Sequence, residues 1–305
     1  MKERTVVATG RFARSYSGHP LLIGSALYYA TRYPARAAYA LATDPLAIWD
    51  TLRERLVQAR EYRDGPCRYA STPEKELHRA IDVAWPCPCG LEFRRAWPRV
   101  VESVRAAGVN VGPESFNGYN DGDEALARAV SCLTRHLEPD KVVETGVAHG
   151  FTSLFVLEAL TRNGRGGLWS IDRPPLDPAM RRRIGIAVKD RSRWSLIAGS
   201  SRRRMPRLLV RLGEIGLFIH DSMHTEQNVR FELDRAWRHL APGGAMIVDD
   251  IDTNWAFRSF IQNNPIHRSF VCESEPVRPD ERRFNGRGLF GIILKGIDES
   301  GVRSR

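Results

Sequence analysis

The stretch that most constrains this chain is Lys141–Ser153, KVVETGVAHGFTS. A short apolar strand (Val142, Val143) runs through Glu144 and Thr145 into two glycines, Gly146 and Gly150, and then into a helix with Leu154, Phe155, Val156, Leu157, Ala159 and Leu160. Strand, glycine turn and helix form the opening half of a βαβ unit. Glycines at the turn let the backbone pass close to a ligand, and a helix start offers unpaired N–H groups to a negative group. The turn alone is a modest signal, because glycine-rich turns also occur without ligands.

The flanking sequence adds to it. Gly167–Asp172, GLWSID, is a second apolar strand that ends in a carboxylate 28 residues after Glu144. An acid at that place is where an α/β nucleotide fold puts the acceptor for a ribose hydroxyl. A dehydrogenase would carry G-x-G-x-x-G. Here the glycines are four apart with no third in register, a spacing that suits a ligand without a pyrophosphate.

E-x-G-x-x-x-G followed by a strand-end Asp resembles the class I S-adenosylmethionine-dependent methyltransferases. Leu240–Asp250, LAPGGAMIVDD, is similar to the Pro-Gly-Gly turn those enzymes carry before their fifth strand. The resemblance covers about residues 120–295. It implies a Rossmann-like α/β fold, mostly parallel with a closing antiparallel pair. It also implies S-adenosylmethionine bound across Glu144, Gly146, Ala148, Gly150, Thr152, Asp172, Ser200 and Asp221.

Pattern alone gives the order of elements. Acids at Asp121-Gly-Asp-Glu cap a helix carrying Leu126, Ala129, Val130, Leu133 and Leu137 on one face. Further strands are expected at Ser195–Ala198, Leu217–Asp221 and Ala245–Asp249. A helix runs from Glu226 to Leu240, and Phe270–Cys272 pairs with Leu289–Leu294. Strands alternating with helices argue for a mostly parallel sheet covered on both faces. Residues 1–115 carry no nucleotide motif and read as a mainly helical extension or cap on a catalytic domain of residues 116–305. Helices are expected at Pro45–Tyr62, from Thr72-Pro73-Glu74 through Ala84, and at Phe93–Ala107, with breaks at Pro86–Gly90 and Gly112-Pro113.

In an open α/β sheet, ligands sit beyond the carboxyl ends of the strands. There the expected elements bring together Asp221, His224, Asp249 and Asp250. Three converging carboxylates repel unless a cation offsets them, and a hard divalent ion with oxygen ligands is the simplest one. The competing reading has one acid capping a helix and another paired with arginine. Asp221-Ser-Met-His224 with Asp249-Asp250 is similar to the metal-dependent O-methyltransferases of the catechol type, which carry Asp-x-x-Lys and Asp-Asn. It departs from them in having His for Lys and Asp for Asn. Asp-x-x-His looks more like the magnesium-dependent enzymes that methylate macrolide sugars. The resemblance implies magnesium at Asp221, Asp249 and Asp250, and His224 as general base, with helix capping or metal ligation as the rival roles for His224. His149 and His220 are read as non-catalytic. Asn254 and Trp255 are candidates to line an acceptor pocket.

Composition narrows the partners. Lys and Arg number 46 against 36 Asp and Glu, a net charge of +10. The excess sits in clusters at Arg181–Arg183, Arg202–Arg204 and Arg278–Arg287 and reads mainly as solvated surface. No aromatic-interleaved basic motif is present, so nucleic acid is not the expected partner. The expected substrate is the hydroxyl of a small molecule, a sugar or another secondary metabolite. The alternatives are a metal-independent methyltransferase and a non-catalytic, RNA-associated protein that keeps the fold. Five scattered cysteines (Cys67, Cys87, Cys89, Cys132, Cys272) do not form a disulfide framework. Cys87-Pro-Cys89 offers one close pair where zinc needs four ligands, so it reads as reduced thiols. Without a signal peptide or a long uncharged apolar stretch, a cytoplasmic protein is expected, and a homo-oligomer is admissible.

Overall fold

The computed structural model describes residues 67–116, 119–175, 177–264, 266, 268–275 and 288–296, with isolated helical positions between 31 and 57. In chain order the continuous elements are α1 (Glu74–Ala80), α2 (Pro88–Ala106), β1 (Gly112–Phe116), β2 (Tyr119–Asp121), α3 (Glu124–Leu137) and β3 (Lys141–Thr145). They continue with α4 (Phe151–Asn163), β4 (Gly167–Asp172), α5 (Pro178–Arg181), β5 (Trp194–Ala198), α6 (Ser201–Leu212) and β6 (Ile215–His220). The last are α7 (Glu226–His239), β7 (Leu240–Val248), α8 (Ala256–Asn263), β8 (Arg268–Glu273) and β9 (Leu289–Leu294).

Seven strands form one sheet in the order β5-β4-β3-β6-β7-β9-β8. The first five are parallel and β9 is antiparallel to both β7 and β8. The order reverses between β3 and β6. That switch opens a crevice at the carboxyl ends of the strands, where α/β sheets bind ligands. The fold expected from the sequence is therefore present, closing pair included.

Strand alternation sorts the core into two layers. Val142, Leu217, Ile219, Ala245, Ile247, Ile292 and Leu294 face one side, where Leu126, Val130 and Leu133 of α3 and Val156 and Leu160 of α4 cover them. Val143, Phe218, Met246, Val248 and Ile293 face the other side, under Met205 and Leu209 of α6, Leu233 and Ala236 of α7, and Phe257 and Phe260 of α8. A third layer lies outside the first. Phe93, Trp97, Val101 and Val104 of α2 pack on Phe151 and Phe155 of α4 and on Ala127 of α3.

The N-terminal portion departs from the sequence reading in three places. First, α2 begins at Pro88 rather than Phe93, because Cys87 caps it by accepting a hydrogen bond from the Gly90 N–H and proline suits the first helical turn. Second, α1 ends at Ala80, so Ala84 lies outside the helix and is exposed. Third, Gly112-Pro113 begins a strand, and the β1–β2 hairpin spans the expected break. The expected cap at Asp121-Gly-Asp-Glu is present: Asp123 accepts from the N–H groups of Ala125 and Leu126, with Glu124 in the first turn of α3. Of the helix expected over Pro45–Tyr62, Leu46 and Trp49 are helical, while Leu52, Leu56 and Ala59 lie outside the described residues, as do Arg278 to Arg287.

The chain before α3 is tied to the sheet by polar contacts as well. Thr72 N–H donates to Val271 O at 2.6 Å and Cys67 N–H to Asp252 O at 2.9 Å. Arg128 of α3, buried, makes a bidentate pair with Glu275 (2.8 and 3.0 Å) and also reaches Glu74 of α1. No helix among the described residues is long and apolar enough to cross a membrane.

Candidate active site

The turn after β3 is built by its glycines. Gly146 has φ +85°, and a Cβ there would lie 1.8 Å from the carbonyl oxygen of Asp221. Gly150 has φ +86°, and its Cβ would lie 2.8 Å from Cα of Gly185. The close approach these glycines permit is thus to the chain's own backbone. The end of β6 occupies the space beside Gly146 that a side chain would need. Asp221 N–H donates to Thr145 O at 2.9 Å and locks the two strand ends together. The first turn of α4 follows, with no side-chain cap at Gly150, so its N–H groups remain available to a ligand.

Around this turn stand the expected cofactor residues. Asp172 ends β4, and its Oδ2 is buried without a hydrogen-bond partner. Burial raises its pKa to about 7 against hydrogen bonds from the backbone of Ala148, Arg173 and Val147. A carboxylate held by backbone N–H groups on one side, with a bare oxygen on the other, fits a hydroxyl donor such as a ribose. Glu144 is fully buried. Its Oε2 accepts from Ser153 Oγ at 2.7 Å and from Ser170 Oγ at 2.5 Å, so it braces β3, β4 and α4. Burial, and then the charge of Asp172, raise its pKa to about 7. Ser200 is buried at the N-terminus of α6, while Thr152 and Ala148 are half-buried, Ala148 with φ +47°.

Beyond β6 and β7 lies the charged cluster. Donor atoms of Asp221, His224 and Asp249 all lie within 4.8 Å of one another. Asp250 does not complete that group. With φ +51° it turns towards His224, placing Oδ2 3.2 Å from Nδ1. The opposite ring nitrogen, Nε2, is 3.8 Å from Asp221 Oδ1 and has no hydrogen-bond partner. The set expected as Asp221, Asp249 and Asp250 therefore differs from the set whose atoms converge. Burial, then the charges of Asp249, Asp121, Asp250 and Glu144, raise the pKa of Asp221. Burial would lower that of His224, but Asp250 and then Asp249 and Glu232 outweigh it and bring it to about 9. Mutually repelling carboxylates with a neighbouring imidazole are a donor set that suits a divalent cation.

The loop carrying these groups is pinned along its length. Asp249 N–H donates to His220 O, Ile251 N–H to Leu289 O and Leu289 N–H to Asp252 Oδ1. Asn254, a candidate pocket residue, instead holds the loop: its Oδ1 accepts from Ala256 N–H and its amide donates to His224 O at 3.1 Å. Trp255 is 38% exposed with the Arg258 guanidinium over its ring.

Three residues were not singled out from the sequence. Glu232 of α7 is fully buried and gathers Thr145 Oγ1 (2.5 Å), His220 Nδ1 (2.7 Å), Ser222 Oγ (2.8 Å) and Asn228 Nδ2 (2.8 Å). His220 Nδ1 is thus held by Glu232, while its ring meets that of His224 edge-on at 5.4 Å and its Nε2 has no hydrogen-bond partner. Asn228 is buried beside it and extends the network to Met223 O. Asp121, from the hairpin, accepts the backbone N–H of His149 at 3.0 Å and lies 2.6 Å from its Nδ1, while Phe116 meets the same ring edge-on at 5.0 Å. The hairpin therefore closes over the glycine turn. The signal for Glu232 was an acid between Val229 and Leu233 on an otherwise apolar face. Asp121 carried none, because Asp123 competes for the same capping pattern.

The arginine clusters that are described are engaged within the chain. Arg203 pairs with Asp50 at 2.9 Å, Arg204 donates to Ala198 O, Arg202 lies over Phe231, and Arg181 donates to Pro175 O.

Residues 143–251 match a methyltransferase domain family. That span runs from β3 to the charged loop after β7. Among solved structures the chain is similar to two O-methyltransferases. An O-methyltransferase from Bacillus cereus in complex with SAH is 13% identical, with 72% of this chain and 97% of that one covered at a TM-score of 0.47. The O-methyltransferase TomG from Streptomyces achromogenes, involved in tomaymycin synthesis and in complex with SAM, is 11% identical, with 74% and 100% covered at 0.43. No curated protein matches the chain by sequence.

Proposed function

We propose that this chain, a class I S-adenosylmethionine-dependent methyltransferase, transfers its methyl group to a hydroxyl of a small molecule, a sugar or another secondary metabolite, with a divalent metal at the site. The observation that carries the reading is the convergence of Asp221, His224 and Asp249 beside the glycine turn, at the sheet's ligand-binding end. S-adenosylmethionine would lie along the turn from Gly146 to Thr152, with its ribose on the bare oxygen of Asp172. Asp221 and Asp249 would hold the cation, magnesium by the hardness of their oxygens. Such a cation would supply Lewis-acid polarisation of the acceptor oxygen. When bound, S-adenosylmethionine would supply the activated methyl group, its S–CH3 bond breaking as the acceptor oxygen bonds to the methyl and S-adenosylhomocysteine being left. A cation held by Asp221 and Asp249 would offset the carboxylates that favour the imidazolium of His224, and the neutral ring, oriented by Asp250 at Nδ1, could then take the hydroxyl proton on Nε2. The division into a helical extension of residues 1–115 and a catalytic domain of residues 116–305 belongs to the same reading.

Two measurements test it. Asp172→Ala should weaken S-adenosylmethionine binding at least about tenfold, which corresponds to ~1.4 kcal/mol, because a charge-assisted bond to the ribose is lost. Calorimetry with unchanged affinity would remove Asp172 from the site. Exhaustive chelation should abolish transfer, and added magnesium should restore it. Activity that survives chelation would favour the metal-independent reading instead.

A further inference from the structure

Far from the crevice, α1, α2 and α3 bring five sulfur and imidazole groups together. Cys132 and His136 stand four residues apart on α3 and so share a face. Cys87 caps α2, and its Sγ accepts the Gly90 N–H at 3.3 Å. It lies 3.7 Å from Cys132 Sγ and 3.2 Å from His78 Nε2. The other nitrogen of His78 is 3.1 Å from the Glu74 carbonyl. A carbonyl only accepts, so Nδ1 carries the proton and Nε2 presents its lone pair to the cluster. Donor atoms of His78, Cys87 and His136 lie within 4.8 Å of one another. His78, Cys87 and Cys132 are at most 2% exposed. Cys89, half-buried, places its sulfur 3.1 Å from His136 Nε2.

These groups make poor partners for each other. Thiols are weak donors and weak acceptors, so hydrogen bonding alone gives little reason to bury three of them against two imidazoles. The Cys87–Cys132 separation is also far beyond a disulfide bond of about 2.05 Å. It does match a shared cation. Two thiolates on a tetrahedral zinc, each at about 2.3 Å, lie about 3.8 Å apart. The backbone carbonyl on His78 and the N–H on Cys87 are the outer contacts that orient metal ligands of these types.

We infer that His78, Cys87, Cys132 and His136 bind a structural zinc ion that fastens α1 and α2 to α3. The soft donors separate this site from the oxygen-rich cluster at Asp221 and Asp249. Cys89 stands beside the four ligands and is not required. The sequence pair Cys87-Pro-Cys89 thus supplies one ligand only, with the other three arriving from α1 and α3. Because ligation needs all three helices in place, zinc binding is coupled to their folding.

The test is elemental analysis of the full chain, purified without a polyhistidine tag from cells grown with zinc. About one zinc per chain is expected. Replacement by cobalt should give a sulfur-to-cobalt charge-transfer band in the near ultraviolet. Cys87→Ser and His136→Ala should each lose most of the zinc, while Cys89→Ser and Cys272→Ser should keep it. The double variant Asp221→Asn, Asp249→Asn should also keep it, which separates this site from the one in the crevice. Zinc absent from the unmodified chain, or no sulfur band with cobalt, would overturn the inference whether or not the variants fold. So would zinc lost from the double Asp variant but kept by Cys87→Ser, or a mass two hydrogens low from a Cys87–Cys132 disulfide.

Discussion

Replacing His224 with alanine is expected to lower methyl transfer by about 10²–10⁴-fold, the range for loss of a positioned general base. The geometry behind this is a dyad. Asp250 faces Nδ1 at 3.2 Å, and Nε2 has no partner and looks towards Asp221. With a cation at Asp221 and Asp249 offsetting the carboxylates that raise its pKa to about 9, the ring would be neutral and Nε2 could accept a proton while Asp250 fixes the ring. Affinity for S-adenosylmethionine should stay near its starting value, because His224 is not among the residues expected to hold the cofactor. Single-turnover kinetics with calorimetry on the same variant separates the outcomes. Loss of magnesium affinity together with turnover would make His224 a ligand, in line with its place among the converging donors. Unchanged turnover would leave it a structural residue.

Glu232→Ala should cost about 3–5 kcal/mol of folding stability, as expected when one partner of a buried ion pair is removed. Four donors aim at this carboxylate, and Thr145, His220 and Asn228 among them are buried. Burial opposes its charge, but the charge and hydrogen bond of His220, with those of Ser201 and Thr145, outweigh it and lower the pKa from 4.5 to about 2. That depression corresponds to about 3 kcal/mol, the same order as the expected loss. The sign fixes the pH window. For a carboxylate with a lowered pKa, the stabilisation is fully present above about pH 4.5 and is lost as pH falls through about 2. Urea unfolding of the natural chain and the variant should therefore differ most at neutral pH and converge in strong acid. A difference below about 1 kcal/mol at pH 7 would show that the four donors find other partners.

The sheet was legible because its signals are local. Continuous apolar runs at Val142–Val143 and Leu217–Phe218–Ile219, with the glycines at 146 and 150, define strands and turns without reference to distant residues. The strand-end acids Asp172, Asp221 and Asp249 were legible for the same reason, since strand ends mark the ligand side of such a sheet. What escaped depends on pairs far apart in sequence. Asp121 meets His149 only after the hairpin folds back. Asp250 swaps its expected place for one beside His224 through a positive φ that an aspartate rarely shows in a sequence pattern. The sulfur cluster escaped because its ligands come from three helices, and Cys87-Pro-Cys89, its local trace in the sequence, supplies only one of them.

The pinned loop after β7 also has a consequence for motion. Its amides are bonded to β6 and β9, and its carbonyl at Asp252 receives the amide of Cys67. A segment held at so many points opens only by disrupting the sheet edge, so its excursions should be rare on the timescale of turnover. The charged groups are then set in place before the acceptor arrives, and any gating of access must come from elements outside this loop. Hydrogen exchange at Ile251 as slow as at Ile247 would express that rigidity directly, whereas fast exchange at Ile251 would make the loop a gate.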